Sequence, residues 1–389
     1  MTVLILGNQS RSVYNFWSVL IRHLLAEGHT VLCAVPDSCA PKEREAEEDA
    51  RGRLERAVSR LLTYPLSRKG LNPFADLRTL WALYRLFRAE HPDLLFTSTI
   101  KPVIYGSLAA HFAGVPRIYA TITGLGYTFE RDSVAKRAIH ALAVFLYRTS
   151  LAHVSGVFFQ NEDDRATFRE AKILGENAKI FMARGTGVDT GRFAYVPAKK
   201  PDPEFLFLFV GRLLVAKGLD AYAQAAKLLR DRYPMVRFQI VGPKESGPGA
   251  LPSSLLDQWV SQGLIEYLGE TRDVRPYLAA CHVLVLPSWR EGTPTAVMEA
   301  MSVGRACIVT DVPGCREVVR NGENGYVVPV NDAEALAHAM EQCVTEYDRT
   351  VAMGIAGREM ACREFDADRV AEKILLDMQC CAANGCDHD

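Results

Sequence analysis

Residues 283–304 restrict the fold more than any other stretch: Val-Leu-Val-Leu-Pro-Ser-Trp-Arg-Glu-Gly-Thr-Pro-Thr-Ala-Val-Met-Glu-Ala-Met-Ser-Val-Gly. The stretch opens with a short unbroken apolar run, the pattern of a parallel strand buried on both faces. Thr293 then suits an N-cap, Pro294 suits the first helical position because its φ is already set, and Gly304 suits a left-handed stop. These signals predict a short helix over 294–303. Glu291 falls in the turn and Glu299 one to two helical turns later, on the order of 7 Å further along the axis. Open α/β sheets bind ligands beyond the carboxyl ends of their strands, where helix N–H groups attract phosphate. Carboxylates are poor phosphate partners and good acceptors from hydroxyls. Two of them flanking an open helix N-terminus suit a molecule with phosphate in the middle and polyols at both ends, which describes a nucleotide-sugar. Either glutamate alone reads more readily as a solvated surface charge; the spacing and the Gly-Thr-Pro break between them favour a site.

The strands and helices around this stretch form two α/β series. Residues 3–6 read as a strand followed by Gly7, which leaves backbone room at the strand's end, then a helix over 16–26 and a strand over 30–35. Residues 42–60 are highly charged and read as a solvated helix or loop. An amphipathic helix is predicted over 74–90 from Leu77, Leu80, Trp81, Tyr84 and Phe87. Strands follow at 93–98, 117–122 and 157–160, with a helix over 103–113. The Thr123-Gly124-Leu-Gly126 loop lies just past a strand and lets a large ligand approach its backbone; as a plain turn it would put its aromatics in the core. Residues 197–203 read as a linker. The second series comprises strands at 205–210, 237–241, 265–268 and 306–310, helices over 219–231 and 252–262, a turn over 322–325, and helices from 332 onward.

A chain of 389 residues, 49% apolar and 23% charged, can bury two cores. Its net charge of −1 conceals an asymmetry. Residues 1–200 carry 27 Lys and Arg against 19 Asp and Glu, and the remainder carries 18 against 27, so the first half is the one to meet an anionic partner. No zinc-finger spacing and no basic stripe interleaved with aromatics supports nucleic acid as a partner. Residues 136–148 combine Lys136, Arg137, His140 and Arg148 with apolar neighbours, which fits a helix lying on an anionic membrane surface and equally a plain core helix. No apolar run nears the roughly 20 residues that span a bilayer. The expected location is therefore cytoplasmic, peripheral on the inner face of the cell membrane. Ten cysteines in so long a chain fit reduced thiols better than a disulfide framework. Cys380, Cys381, Cys386 and His388 match no zinc spacing and read as tail. Asp366-Ala-Asp368 reads as a helix cap, and no metal is expected.

Gly211-Arg-Leu-Leu-Val-Ala-Lys-Gly218 follows the second series' first strand. Arg212 offers a planar fork and Lys217 a point charge, a pair suited to gripping a diphosphate and neutralising charge as it leaves. This motif, together with the Glu291-x7-Glu299 pattern and its following Glu-Ala-Met-x-x-Gly, resembles the retaining GT-B glycosyltransferases of the GT4 family. The resemblance covers most of residues 2–375. It implies a fold of two Rossmann-like domains with parallel sheets facing across a cleft. The domains would be residues 1–193 for the acceptor and 194–364 for the nucleotide-sugar, with a helix in 365–389 packing back on the first, plus a tail.

By the same resemblance, Arg212 and Lys217 bind the donor diphosphate, Glu291 contacts the transferred sugar and Glu299 holds the ribose diol. Gly211, Gly292, Thr293, Pro294 and Thr295 belong to the donor site, Gly242 and Leu268 border the base, Gly187 lies in the family's hinge loop, and Gly7 also counts toward the donor. Asn15, Thr123, Gly124 and Gly126 resemble the acceptor side of a subgroup that extends lipid-diphosphate-linked oligosaccharides. Many GT4 members carry a histidine where Thr123-Gly124 stands here, so no histidine is assigned a role. The implied reaction moves a hexosamine, expected to be an N-acetylhexosamine, from a UDP-sugar to a polyprenyl-diphosphate-linked glycan, without a metal or other cofactor. A nucleotide-sugar epimerase or hydrolase, and a non-catalytic nucleotide-sugar-binding subunit of a glycan assembly complex, are the alternatives.

Overall fold

The computed structural model describes residues 1–40, 44–67, 72–124, 129, 134–175, 178–201, 203–247 and 249–383, without the side chains of 134–136 and 381–383. The chain forms two compact units, one made of Met1–Thr186 and the C-terminal segment from Asp368, the other of Gly187–Ala367.

In the first unit, β1 (Thr2–Leu6), α1 (Ser10–Ala26), β2 (Thr30–Pro36), α2 (Arg44–Ala57), β3 (Arg60–Tyr64) and α3 (Pro73–Glu90) lead to β4 (Leu94–Ser98). A helix of wide turns, Pro102–Gly106, runs into α4 (Ser107–Ala113), and β5 (Arg117–Ile122), α5 (Val134–Leu151), β6 (Gly156–Phe159), α6 (Glu162–Glu170) and β7 (Ile180–Met182) follow. The strands pair in parallel in the order β3-β2-β1-β4-β5-β6-β7. Helices cover both faces, so the central strands are apolar throughout: Val3 to Leu6 and Leu94 to Phe96 are all within 1% of complete burial.

The second unit repeats this plan with β8 (Phe205–Val210), α7 (Leu219–Arg230), β9 (Val236–Val241), α8 (Ser253–Ser261), β10 (Glu266–Tyr267), α9 (Arg275–Ala280) and β11 (Val283–Leu286). It continues through α10 (Thr295–Val303), β12 (Ala306–Thr310), α11 (Cys315–Val318), β13 (Gly325–Val328), α12 (Ala333–Thr345) and α13 (Tyr347–Glu364). Its parallel order is β10-β9-β8-β11-β12-β13. Both sheets reverse direction between their first and fourth strands, and such a reversal opens a crevice beyond the strand ends. The last helix, α14 (Ala367–Ala383), returns to the first unit, where Val370, Ile374 and Met378 join the core of β1, β2 and α1, and Tyr119 Oη donates to the Met378 carbonyl at 2.9 Å.

Several elements differ from the sequence expectation. Of the charged stretch, Arg44–Ala57 is α2 and Arg60 begins β3, because Glu47, Ala50 and Leu54 turn one face inward. The short elements α6, β7 and β13 carry too few residues for a periodic signal. Residues 103–113 change pitch part-way, and α10 starts one residue later than expected: Pro294, at φ −75° and ψ 104°, occupies the cap and Thr295 the first turn. Helix α3 departs most. Thr79, Leu83 and Phe87 face the core, while the expected apolar positions Leu77, Trp81 and Tyr84 face solvent.

Arg305, buried to 1% exposure, ties the segment before the second sheet to that sheet's helices. Its guanidinium donates to the carbonyls of Val196 (2.8 Å), Leu278 (3.0 Å) and Ala279 (2.8 Å). Arg305→Met removes the guanidinium donor from these carbonyls and should cost roughly 2–4 kcal/mol of unfolding free energy, measured by denaturant titration against wild type.

Candidate functional site

Arg212, Lys217, Glu291 and the glycines of their loops gather along the carboxyl rim of the second unit's sheet, at its reversal between β8 and β11. There the Lys217 ammonium pairs directly with the Glu291 carboxylate, 74 positions away in the chain. Both side chains are mostly buried, 20% and 12% exposed, so the pair is screened less than a surface pair would be.

The loops that carry the pair are held together by backbone contacts only glycine permits. Gly218 sits at φ +69° with its α-carbon against β11's exit: a Cβ there would lie 1.8 Å from the Pro287 carbonyl oxygen. The Trp289 N–H donates to Ala216 O at 2.8 Å, and the Thr310 hydroxyl donates to Ser288 O. From β12's side, Gly314 at φ +80° presses on the turn, where a Cβ would meet Gly292 O at 1.8 Å. Three strand-end loops therefore fix one another, and Lys217 and Glu291 follow.

Gly211 and Gly242 continue the rim toward β9. The Leu213 N–H donates to Pro243 O at 3.0 Å, Gly242 N–H to Gly269 O at 2.9 Å, and Leu268 N–H to Ile240 O at 2.9 Å. The Leu268 side chain is exposed at this end. Arg212 is 60% exposed with Glu245 3.8 Å away, so it shares the loop with Lys217 and reaches outward from it. Gly292, Thr293, Pro294 and Thr295 form the turn into α10, which has no side-chain cap; Val297 and Met298 N–H donate to Pro294 O at 3.1 and 3.2 Å, and the Thr295 and Ala296 N–H groups precede the helix's own ladder. Gly304 closes the helix at φ +88°. Among the described residues, no three His, Cys, Asp or Glu side chains gather to hold a metal ion.

Glu299 keeps some contact with solvent, yet enough protein surrounds its carboxyl that burial pushes the pKa up to about 7, with Arg192 opposing the rise and Asp273 adding to it. Arg275, hydrogen-bonded to Asp273, holds that second carboxyl down at about 2, so Asp273 stays charged beside Glu299. Sequence reading missed Arg192 and Asp273, which lie far from Glu299 in the chain and carry no local pattern. It also missed the contact roles of Gly218 and Gly314, whose only signal was a glycine after a strand.

Gly187 is placed elsewhere. At φ +72° it packs on Ala367, whose α-carbon would be 2.6 Å from an added Cβ, at the point where the chain enters and leaves the second unit. Gly7 ends β1 in the first unit, where its carbonyl accepts from Tyr64 Oη at 2.8 Å. The neighbouring N-terminus of α1 is already occupied, because the Ser10 and Arg11 N–H groups donate to the Glu47 carboxylate at 2.8 and 3.4 Å. A phosphate at Gly7 would meet that negative charge. Asn15 is exposed on α1, and Thr123 and Gly124 (φ +121°) lie past β5; Gly126 lies outside the described residues. Around this rim, Asn8 Oδ1, Thr97 Oγ1, Thr99 Oγ1 and Thr121 Oγ1 are buried without a hydrogen-bond partner. A polar cavity of about 250 Å³ opens at Asn8, lined also by Gln9, Asp37, Arg44, Glu47 and Arg51.

Residues 204–346 match the family model "Glycosyl transferases group 1", and residues 15–182 match "Glycosyl transferase 4-like domain". The chain belongs to the group 1 glycosyltransferases. This glycosyltransferase is 25% identical over 387 residues, 96% of its own chain and 97% of the other, to the N,N′-diacetylbacillosaminyl-diphospho-undecaprenol α-1,3-N-acetylgalactosaminyltransferase of Campylobacter jejuni. It is 29% identical over 283 residues, 70% and 71% of the two chains, to the UDP-Gal:α-D-GlcNAc-diphosphoundecaprenol α-1,3-galactosyltransferase of Escherichia coli. Among solved structures it is similar to Anabaena HepE in complex with UDP, with a TM-score of 0.77 over 98% of this chain and 100% of that one at 17% identity. It also resembles the Thermosynechococcus elongatus sucrose-phosphate synthase, with a TM-score of 0.77 over 99% and 100% at 16% identity. The fold is GT-B.

Two outcomes test this geometry. Gly218→Ala should destabilise the glycosyltransferase by at least about 2 kcal/mol, since a side chain there is strained and clashes with fixed backbone; denaturant titration measures it. Burial raises the folded pKa of Glu299 above its unfolded value, so the native state bears a penalty for ionising it. Stability should fall as pH rises from 4.5 to about 7. Glu299→Gln should therefore melt higher than wild type above pH 7, with the difference vanishing near pH 4.5 in a calorimetric pH series.

Proposed function

We propose that the chain transfers an N-acetylhexosamine, with retention, from a UDP-sugar to a polyprenyl-diphosphate-linked glycan at the inner face of the cell membrane. The observation that carries this reading is the Lys217–Glu291 pair, held across the strand reversal beside the open N-terminus of α10. A cation and free helical amides suit a diphosphate, while Glu291 and Glu299 on either side suit the hydroxyls of the sugar and the ribose. The activities of the two relatives support the substrate class, since both concern undecaprenyl-diphosphate-linked sugars and one uses UDP-Gal. Both also form α-linkages; UDP-hexoses of this kind carry an α-linked diphosphate, so an α product keeps the configuration.

In this reading the anomeric C–O bond to the diphosphate breaks as an acceptor hydroxyl oxygen bonds to the same face of the carbon. The acceptor's proton passes to a leaving phosphoryl oxygen, so no side chain need serve as base. Arg212, Lys217 and the first-turn amides of α10 stabilise the charge that builds on the diphosphate. Glu291 has a double duty: it accepts from the sugar hydroxyls and, before donor binds, keeps Lys217 pointed at the site. The unpartnered hydroxyls and the polar cavity of the first unit suit the glycan of the acceptor.

The test is a screen of UDP-sugars against short polyprenyl-diphosphate sugars, read by product mass. UDP should be released only when both substrates are present; release from donor alone at a comparable rate would point to a hydrolase. Lys217→Ala, Glu291→Ala and Arg212→Ala should each lower kcat by roughly 100-fold or more, and a loss within a few-fold would remove that residue from the site. Turnover should survive excess chelator, because the cations and helical amides take the place of a metal.

A further inference from the structure

We propose that the outward face of α3 is a docking surface for an anionic lipid bilayer. The helix has two dissimilar sides. Asp76, Thr79, Leu83 and Phe87 face the core, and the opposite side presents Phe74, Leu77, Trp81 and Tyr84 at 85, 62, 59 and 36% exposure. Isolated exposed apolar residues are ordinary, but four at spacings of three and four residues form one stripe along a helix. Arg78, Arg85 and Arg88 are exposed on the same side, at intervals that interleave them with the aromatics.

The helix keeps its acids away from this stripe. Asp76 is buried and paired with Lys101 at 2.8 Å, and Glu90 pairs with Arg60. The Arg85 guanidinium lies over the Trp81 ring, 4.7 Å from its centroid, while Trp81 stays exposed. Tryptophan and tyrosine flanked by arginines suit the boundary between headgroups and acyl chains, where rings enter the apolar layer and guanidinium groups meet phosphate. Neighbouring helices extend the apolar character: α4, packed against α3, exposes Phe112, and α5 beyond it exposes Leu142 and Phe145. On α5 Arg148 is tied to the carbonyls of Ala171 and Lys172, while Arg137 is exposed.

Charge selects among occupants. A second copy docking by two-fold symmetry on this face would set its arginines against themselves, whereas an anionic bilayer offers them phosphate. The inference rests for its purpose on the lipid-linked acceptor proposed above, since a membrane-held substrate is met faster by an enzyme held on the same surface; the geometry stands by itself.

The experiment is flotation of the full chain with vesicles of phosphatidylethanolamine and phosphatidylglycerol, compared with phosphatidylcholine alone. Wild type should float with the anionic vesicles and much less with the neutral ones, and added salt should weaken the binding. Leu77→Gln/Trp81→Gln should lower the partition coefficient by tenfold or more, and Arg78→Glu/Arg85→Glu by about fivefold or more for each reversed charge. All four sites are exposed, so melting temperatures should match wild type. Binding unchanged in both variants, no binding by wild type, or a wild-type dimer that Leu77→Gln/Trp81→Gln makes monomeric would each overturn the proposal. A water-soluble short-prenyl acceptor separates this inference from the function above. Equal turnover by wild type and variants on it is expected, while absence of turnover by all of them defeats the substrate reading and leaves flotation to decide the surface.

Discussion

Opposite charges at the reversal of a parallel sheet are the constraint on which the second unit's rim depends. Lys217 and Glu291 come from different strand exits, and neither loop could place its side chain alone. Their meeting requires Gly218 to pass within touching distance of Pro287, Gly314 to lie against Gly292, and Trp289 to hydrogen-bond Ala216. Backbone fixed in this way loses little further freedom when a ligand arrives, which is the condition for electrostatic stabilisation to act on a transition state without first reorganising the protein.

The two units share a strand order, so α1 of the first corresponds to α7 of the second, and α10, which follows β11, corresponds to the wide-turned helix after β4. α10 begins with no side-chain cap, whereas the terminus of α1 is filled by Glu47, a buried carboxylate supplied from α2. That carboxylate disfavours an anion at the N-terminus of α1.

Much of this was legible before any coordinates, for identifiable reasons. Strands β8 and β11 are unbroken apolar runs and β12 nearly so, a pattern that burial on both faces imposes, and the residues of the Arg212–Lys217 loop and the Glu291–Glu299 stretch lie at fixed local spacings. Contacts that depend on distant segments left no trace. Arg192 and Asp273 act on Glu299 through their charges from separate loops, and β3 sat unseen behind a charged helix whose inward face is only Glu47, Ala50 and Leu54. Helix α3 shows the limit of periodicity: its sequence has apolar residues on both sides, and only packing against β4 and α4 decided that Leu83 and Phe87, not Leu77 and Trp81, would be inside.

The return of the last helix has its own consequence. Gly187–Ala367 is one uninterrupted segment, and its ends lie side by side, Val188 N–H donating to Phe365 O at 2.8 Å and Ala367 N–H to Val188 O at 2.9 Å. The other unit, by contrast, is assembled from both extremities of the polypeptide, with Val370, Ile374 and Met378 filling space between β1, β2 and α1. On the ribosome, the second unit can therefore finish its core while the unit begun earlier still waits for α14. The order of synthesis and the order of completion are reversed, and an adjacent pair of splice points is left at which the later half could be exchanged whole between chains.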